Sequence, residues 1–338
     1  MLNTVAILSA IAFSCCYLLI PLAIKFSKDK SFVTKPAPGK LDSRSVPYLG
    51  GLVFFLVLVF LGMVYSKTGI FELDLSFFYR FLLSAAVIVG FGLYDDIREM
   101  NPREKLVGQF LGILILVGFG FKTQIIYFNA FGNAAITFFW IIFLVNAFNL
   151  LDILDGLAGG VSLINTFAFF LFSVLTDNHF VMLISVILFA CLLAFLKYNL
   201  PPARIFMGDA GSQFIGFTQA VMAIALSFAP SGREIGLTIP LVMLALPLFD
   251  MLFVILVRIR QGRSIFLKSN DHFVFRMLRI GFSSKNILRI MIILAIVTNC
   301  CALVIFIGPN GIGIIAFLLV IGMMSFVGMR LSRLEINE

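Results

Sequence analysis

The chain has 338 residues, of which 61% are hydrophobic and only 12% charged, with 40 Phe and a formal net charge of +8. A soluble domain is about a quarter charged, so this chain has too few charged side chains to cover a water-facing surface. An ordinary cytosolic enzyme, a disordered chain and a disulfide scaffold are excluded, and apolar runs from end to end predict an all-α polytopic membrane protein.

Taking ~20 apolar residues per crossing, the sequence predicts eleven transmembrane helices. In chain order they cover Leu2–Ile24, Val46–Tyr65, Phe77–Tyr94, Lys105–Phe121, Ala134–Leu151, Leu157–Thr176, Phe180–Leu196, Gly211–Ala229, Ile235–Val257, Ile287–Gly308 and Gly311–Met329. The whole chain, 1–338, reads as a single membrane-embedded domain with polar loops at 25–45, 95–105, 149–156, 197–210 and 258–286. The first apolar run has no basic residue before it, so it is expected to stay as an anchor. Cys15, Cys16, Cys191, Cys300 and Cys301 all fall inside apolar runs without metal-binding spacing and read as small apolar fillers.

Alternating crossings place 21 of the 25 Lys and Arg residues on one side and leave Lys67, Arg80, Lys122 and Arg233 on the other. The positive-inside rule makes the first side cytoplasmic, with the N-terminus outside and the C-terminus inside. The positive charge therefore sets topology and is no footprint of nucleic-acid binding. Thirteen of the 17 acids share the basic side, which orientation does not require.

In PAPGKLDSRSVPYLGG, Lys40 and Arg44 are candidates to reach a phosphate, and Gly50–Gly51 allows close helix approach. Asp95 and Asp96 end the third span, where a helix terminus already carries partial negative charge. Such a pair needs a compensating cation, either Arg98 nearby or a bound Mg²⁺. In NAFNLLDILDGLAGG, Asn146, Asn149 and Asp152 recur every three residues and fall along one helical face. Polar groups there belong in a protein-lined cleft. Asp155, before Gly156, also suits a helix cap. In ARIFMGDAGS, a glycine-rich turn feeds a helix N-terminus, an arrangement suited to anions, with Asp209 inside it and Phe206 beside it. Asp250 is a carboxylate within a span, eight residues before Arg258. That is ~12 Å of helix, too far for a direct pair. The basic loop from Arg258 to Lys285 suits lipid headgroups or a nucleotide diphosphate, and contains His272.

Together these motifs resemble the polyprenyl-phosphate N-acetylhexosamine-1-phosphate transferases, a branch of glycosyltransferase family 4. The resemblance runs through Lys40, Pro47, Gly50 and Gly51, Asp95 and Asp96 with Lys105 and Gln109, Asn146 to Ala158, Phe206 to Ser212, and Arg258, Gly262, Ser264 and Phe266. Ile153 replaces a family glycine, Asp42 stands where many members carry His, and the family's HxHH loop reads His272-Phe273-Val274-Phe275. Without the HHFE-like sequence of the muramoyl-pentapeptide branch, the chain looks closest to UDP-GlcNAc:undecaprenyl-phosphate GlcNAc-1-phosphate transferases.

The resemblance implies attack of a polyprenyl phosphate on the β-phosphorus of a UDP-HexNAc, at the cytoplasmic face of a bacterial inner membrane. UMP is released and cell-envelope polysaccharide synthesis begins. It implies Asp95, Asp96 and Asp152 as catalytic residues, and Asp209 with Asn149 as contacts to Mg²⁺, with Mn²⁺ as an alternative. Phe206, Asp155, His272 and Arg276 would bind the nucleotide sugar, and Lys40 and Lys105 the phosphates. A homodimer is an open assembly. The alternatives are a transferase using UDP-MurNAc-pentapeptide, and a lipid transporter or lipid-binding protein without turnover.

Overall fold

The structure is a computed structural model that describes residues 2–29, 32–34, 45–226, 233–264 and 272–332. Among the described residues each predicted apolar segment overlaps a helix. Contacts divide the chain into two compact units, Met1–Leu226 and Ser227–Glu338.

The first unit holds α1 (Leu2–Asp29), α2 (Gly50–Ser66), α3 (Leu75–Arg98), α4 (Pro102–Gly118), α5 (Ala130–Leu151), α6 (Leu157–Leu175), α7 (His179–Asn199) and α8 (Gly208–Ala225). Side chains that satisfy orphan amides start several of these helices. Asp74 accepts from the Phe77 amide at the start of α3, and Asn101 with Glu104 forms a capping box on α4, with Pro102 in its first turn.

Helix α8 is the hub. It packs against α5, α3 and α2, with further contacts to α6 and α7. Its side chains are buried without interruption from Ala210 to Ala223. A helix enclosed on all sides must let its neighbours come close, and small residues permit that. A Cβ on Gly51 would run into the Gly211 backbone, so α2 and α8 cross at a glycine pair. The outward faces carry large apolar side chains such as Leu18, Leu22, Phe60 and Phe139, as expected for a surface solvated by lipid tails.

The second unit begins with a 3₁₀ turn, Glu234–Thr238, followed by α9 (Ile239–Met243), α10 (Ala245–Arg260), α11 (Phe273–Arg279), α12 (Ser284–Ile307) and α13 (Asn310–Ser332). The predicted span Ile235–Val257 is not one continuous helix: the chain bends by 75° between α9 and α10. Pro247 explains the break. In a continuous helix it would lack a donor for the Met243 carbonyl and its ring would press on that group, whereas restarting at Ala245 puts Pro247 in a first turn.

Among the described residues, seven helices are long and apolar enough to cross a bilayer, or eight if the bent pair counts as one span. Helix α2, with 17 residues, is apolar but shorter. The chain is a polytopic helical membrane protein.

Candidate active site

Asp95 and Asp96 close α3, and adjacent helical residues point ~100° apart, so the two carboxylates serve different neighbours. Asp95 is buried. One of its oxygens accepts from the Met100 amide at 2.7 Å, and the other pairs with the Lys105 ammonium. Asp96 turns to the start of α8, accepting from the backbone amides of Asp209 at 2.8 Å and Ala210 at 3.1 Å. Lys105 thus offsets one carboxylate and the positive end of α8 the other. Arg98 instead lies over the Tyr94 ring, 5.8 Å from its centroid.

Gly208 makes the Asp96 contact possible. Its φ of +72° is disfavoured for other residues, and a Cβ there would meet an Asp96 carboxylate oxygen and the Tyr48 carbonyl, each at 2.6 Å.

Asp209 is the meeting point. Lys105 Nζ donates to its Oδ2 at 2.8 Å, and Asn149 Nδ2 donates to its Oδ1 at 2.9 Å and to Ser212 Oγ at 3.0 Å. The Asp95 carboxyl lies within hydrogen-bonding reach of it as well. Four helices, α3, α4, α5 and α8, therefore each supply one member of the cluster. Beneath it runs a buried amide layer: Asn146 Nδ2 donates to Gln109 Oε1 at 2.7 Å, and Gln109 Nε2 donates to Gln213 Oε1 at 3.1 Å.

The turn between α5 and α6 carries Asp152 and Asp155. Asp155 accepts from the Ala203 amide at 2.9 Å. Asn199 ties the same two loops together, accepting from the Gly156 amide at 3.0 Å and donating to the Ile205 carbonyl at 2.8 Å. Asp152 follows directly after α5, and its carboxyl is pushed up to about 7, first by enclosure in protein and then by the Asp209 and Asp155 charges. Phe206 is half-buried, and its amide donates to the Pro47 carbonyl at 2.7 Å.

His272 and Arg276 lie in the second unit, both buried. His272 Nδ1 stands 3.5 Å from Asp250 Oδ2, and the Phe273 amide donates to Asp250 Oδ1 at 3.1 Å. Arg276 donates to the Leu331 carbonyl at 2.9 Å and lies over the Phe253 ring. Lys40 lies outside the described residues.

The profile of glycosyl transferase family 4 matches residues 78–227, the stretch that contains the whole Asp209 cluster. A decaprenyl-phosphate N-acetylglucosaminephosphotransferase of Mycobacterium tuberculosis (strain CDC 1551 / Oshkosh) is 32% identical over 292 residues, covering 77% of this chain and 72% of that protein. The chain belongs to glycosyl transferase family 4. A Bacillus subtilis (strain 168) protein named probable undecaprenyl-phosphate N-acetylglucosaminyl 1-phosphate transferase is 26% identical over 300 residues, 85% of this chain and 81% of that one. A phospho-N-acetylmuramoyl-pentapeptide-transferase of Dictyoglomus turgidum (strain DSM 6724 / Z-1310) is 31% identical over 241 residues, 66% of this chain and 75% of that one.

As a family 4 glycosyl transferase the chain is an enzyme, and its acids raise the question of a metal. Among the described residues no three His, Cys, Asp or Glu side chains form a ligand group. Mg²⁺ does not need one, since it takes one or two carboxylates and completes its shell with water and phosphate oxygens. Asp209, oriented by Asn149 and set among oxygen donors, fits that requirement. Sequence reasoning passed over Ser212, Gln213 and Asn199. The first two sit three and four residues beyond Asp209, the spacing of one helical face. Asn199 has no such local signal.

Proposed function

We propose that this family 4 enzyme transfers GlcNAc-1-phosphate from UDP-GlcNAc to a polyprenyl phosphate, releasing UMP. The reading is carried by one observation: Asp95, Lys105, Asn149 and Asp209 converge from four helices at one set of helix ends. The names of the mycobacterial and Bacillus relatives support the substrate class.

An oxygen of the lipid phosphate attacks the β-phosphorus of UDP-GlcNAc. The bond from that phosphorus to the oxygen bridging it to the α-phosphate breaks, and the electron pair leaves with UMP. Mg²⁺, held by Asp209 with Asn149 alongside, would neutralise phosphate charge. Lys105 places a second positive charge among the anions, Asp95 holds Lys105 in position, and Asp96 fixes the turn that presents Asp209. Asp152 faces the cluster as a carboxyl poised near neutrality, suited to hold the lipid phosphate's proton. Phe206 offers a ring face to uracil and Asp155 shapes the adjoining loop. Lys40 is assigned to the substrate phosphates.

The charge distribution supports eleven crossings with the N-terminus outside and the reaction at the cytoplasmic face of the bacterial inner membrane, where the lipid phosphate and a soluble nucleotide sugar can meet. The test is UMP release by the purified protein with Mg²⁺, polyprenyl phosphate and a panel of UDP-sugars. UDP-GlcNAc is expected to be the best donor; a preference for UDP-MurNAc-pentapeptide would replace this reading with the muramoyl one.

A further inference from the structure

In the last two turns of α1, Pro21, Ile24 and Lys28 follow at intervals of three and four and so share one face. That face forms one wall of a cavity of about 550 Å³, and Pro47, Tyr198 and Arg204 contribute the others. Backbone hydrogen bonds hold these walls. The Thr34 amide donates to the Val46 carbonyl at 2.9 Å, the Phe206 amide to the Pro47 carbonyl at 2.7 Å, and the Arg204 amide to the Tyr198 carbonyl at 2.8 Å. Among the described residues no acidic side chain lines the cavity, and the two charged side chains, Lys28 and Arg204, are cations. Asp95, Asp155, Phe206 and Asp209 take no part in it, so it is separate from the Asp209 cluster.

Two further features define the occupant. Apart from Ser45 and the Tyr198 ring, the rest of the lining, Pro21, Ile24, Val46, Pro47 and Ala203, is apolar. Leu18, Leu22 and Phe26 are exposed apolar side chains on the flank of α1 next to that face, a surface on which a hydrocarbon tail can lie. Free phosphate would gain nothing from that surface. Basic pockets beside membrane helices suit anionic headgroups. We propose that this cavity binds the phosphate of an anionic glycerophospholipid, with Lys28 and Arg204 on the phosphate and an acyl chain along α1. The lipid would thereby brace the segment that runs from Arg204 to Asp209.

Native mass spectrometry of the full chain in neutral detergent tests this, using phosphatidylglycerol, phosphatidylcholine and glycerol 1-phosphate as probes. The wild type should retain phosphatidylglycerol roughly tenfold better than phosphatidylcholine. A Lys28→Gln/Arg204→Gln variant should lose that preference, and Lys28→Arg/Arg204→Lys should keep it. Both cations are exposed, and an unchanged melting temperature shows that the variants fold. Equal retention of the two lipids, or a charge-neutral variant that still prefers phosphatidylglycerol, overturns the proposal. Displacement of the lipid by glycerol 1-phosphate alone would overturn it too, because the tail would then contribute nothing.

Discussion

Asp96 receives the backbone amide of Asp209, at 2.8 Å, and so acts on the central carboxylate through the peptide chain rather than by touching it. A second bond, from the Ala210 amide, makes Asp96 a cap for α8 supplied by another helix. Asp96→Ala is expected to lose two charge-assisted hydrogen bonds, ~3 kcal/mol, and about a hundredfold in turnover as Asp209 loses its setting. The KM for the nucleotide sugar should change little, which steady-state UMP-release kinetics will show. Asp96→Asn keeps one acceptor oxygen and should fall between the two.

Lys105 bridges Asp95 and Asp209, and its removal leaves their negative charges facing each other. Lys105→Met should lower turnover at least tenfold and destabilise the protein by roughly 1–3 kcal/mol, less than a fully buried pair because Lys105 and Asp209 are partly exposed. Thermal unfolding in detergent, with and without Mg²⁺, measures this. Added Mg²⁺ should recover part of the stability and little of the turnover.

Asp152 gives a pH signature with a definite sign. Its folded value of about 7 lies above the ordinary 3.8, so the folded protein favours the protonated form. That contribution to stability is complete below pH 3.8 and disappears as pH rises through 7. In the presence of a chelator, wild-type protein should therefore melt at a lower temperature at pH 8 than at pH 5.5, and Asp152→Asn should reduce the difference. Paired melting curves at the two pH values decide it.

The α2–α8 crossing predicts a steep response to one methyl group. Gly51→Ala places a Cβ against the Gly211 backbone, which has no flexible end to move aside. A loss of about 1–3 kcal/mol, the usual cost of overpacking, is expected, with poor folded yield. Gly90→Ala, where a Cβ meets nothing within 4 Å, is the matched control and should be neutral or slightly stabilising. Size-exclusion profiles and melting temperatures compare the two.

Much of this was legible in the chain because helical membrane proteins write their elements locally. Apolar length gave the helices, and the triplet spacing of Asn146, Asn149 and Asp152 gave the acidic end of α5. The break after Met243 was present as Pro247 but hidden inside a continuous apolar run. The separate tasks of Asp95 and Asp96 were not readable, since they depend on where α4 and α8 arrive. Asp250 shows the same limit. Distance along its helix excludes Arg258, but its partners, the Phe273 amide and His272, come from more than twenty residues away.

The central claim is that Asp209 anchors a transfer of sugar phosphate. Its most direct test is UMP release from UDP-GlcNAc and a short-chain polyprenyl phosphate, with wild-type protein and Asp209→Asn compared in Mg²⁺ and in chelator. The account predicts metal-dependent UMP from the wild type and a loss of at least a thousandfold in a variant that still folds, a barrier change of ~4 kcal/mol. Undiminished UMP release by folded Asp209→Asn would contradict it.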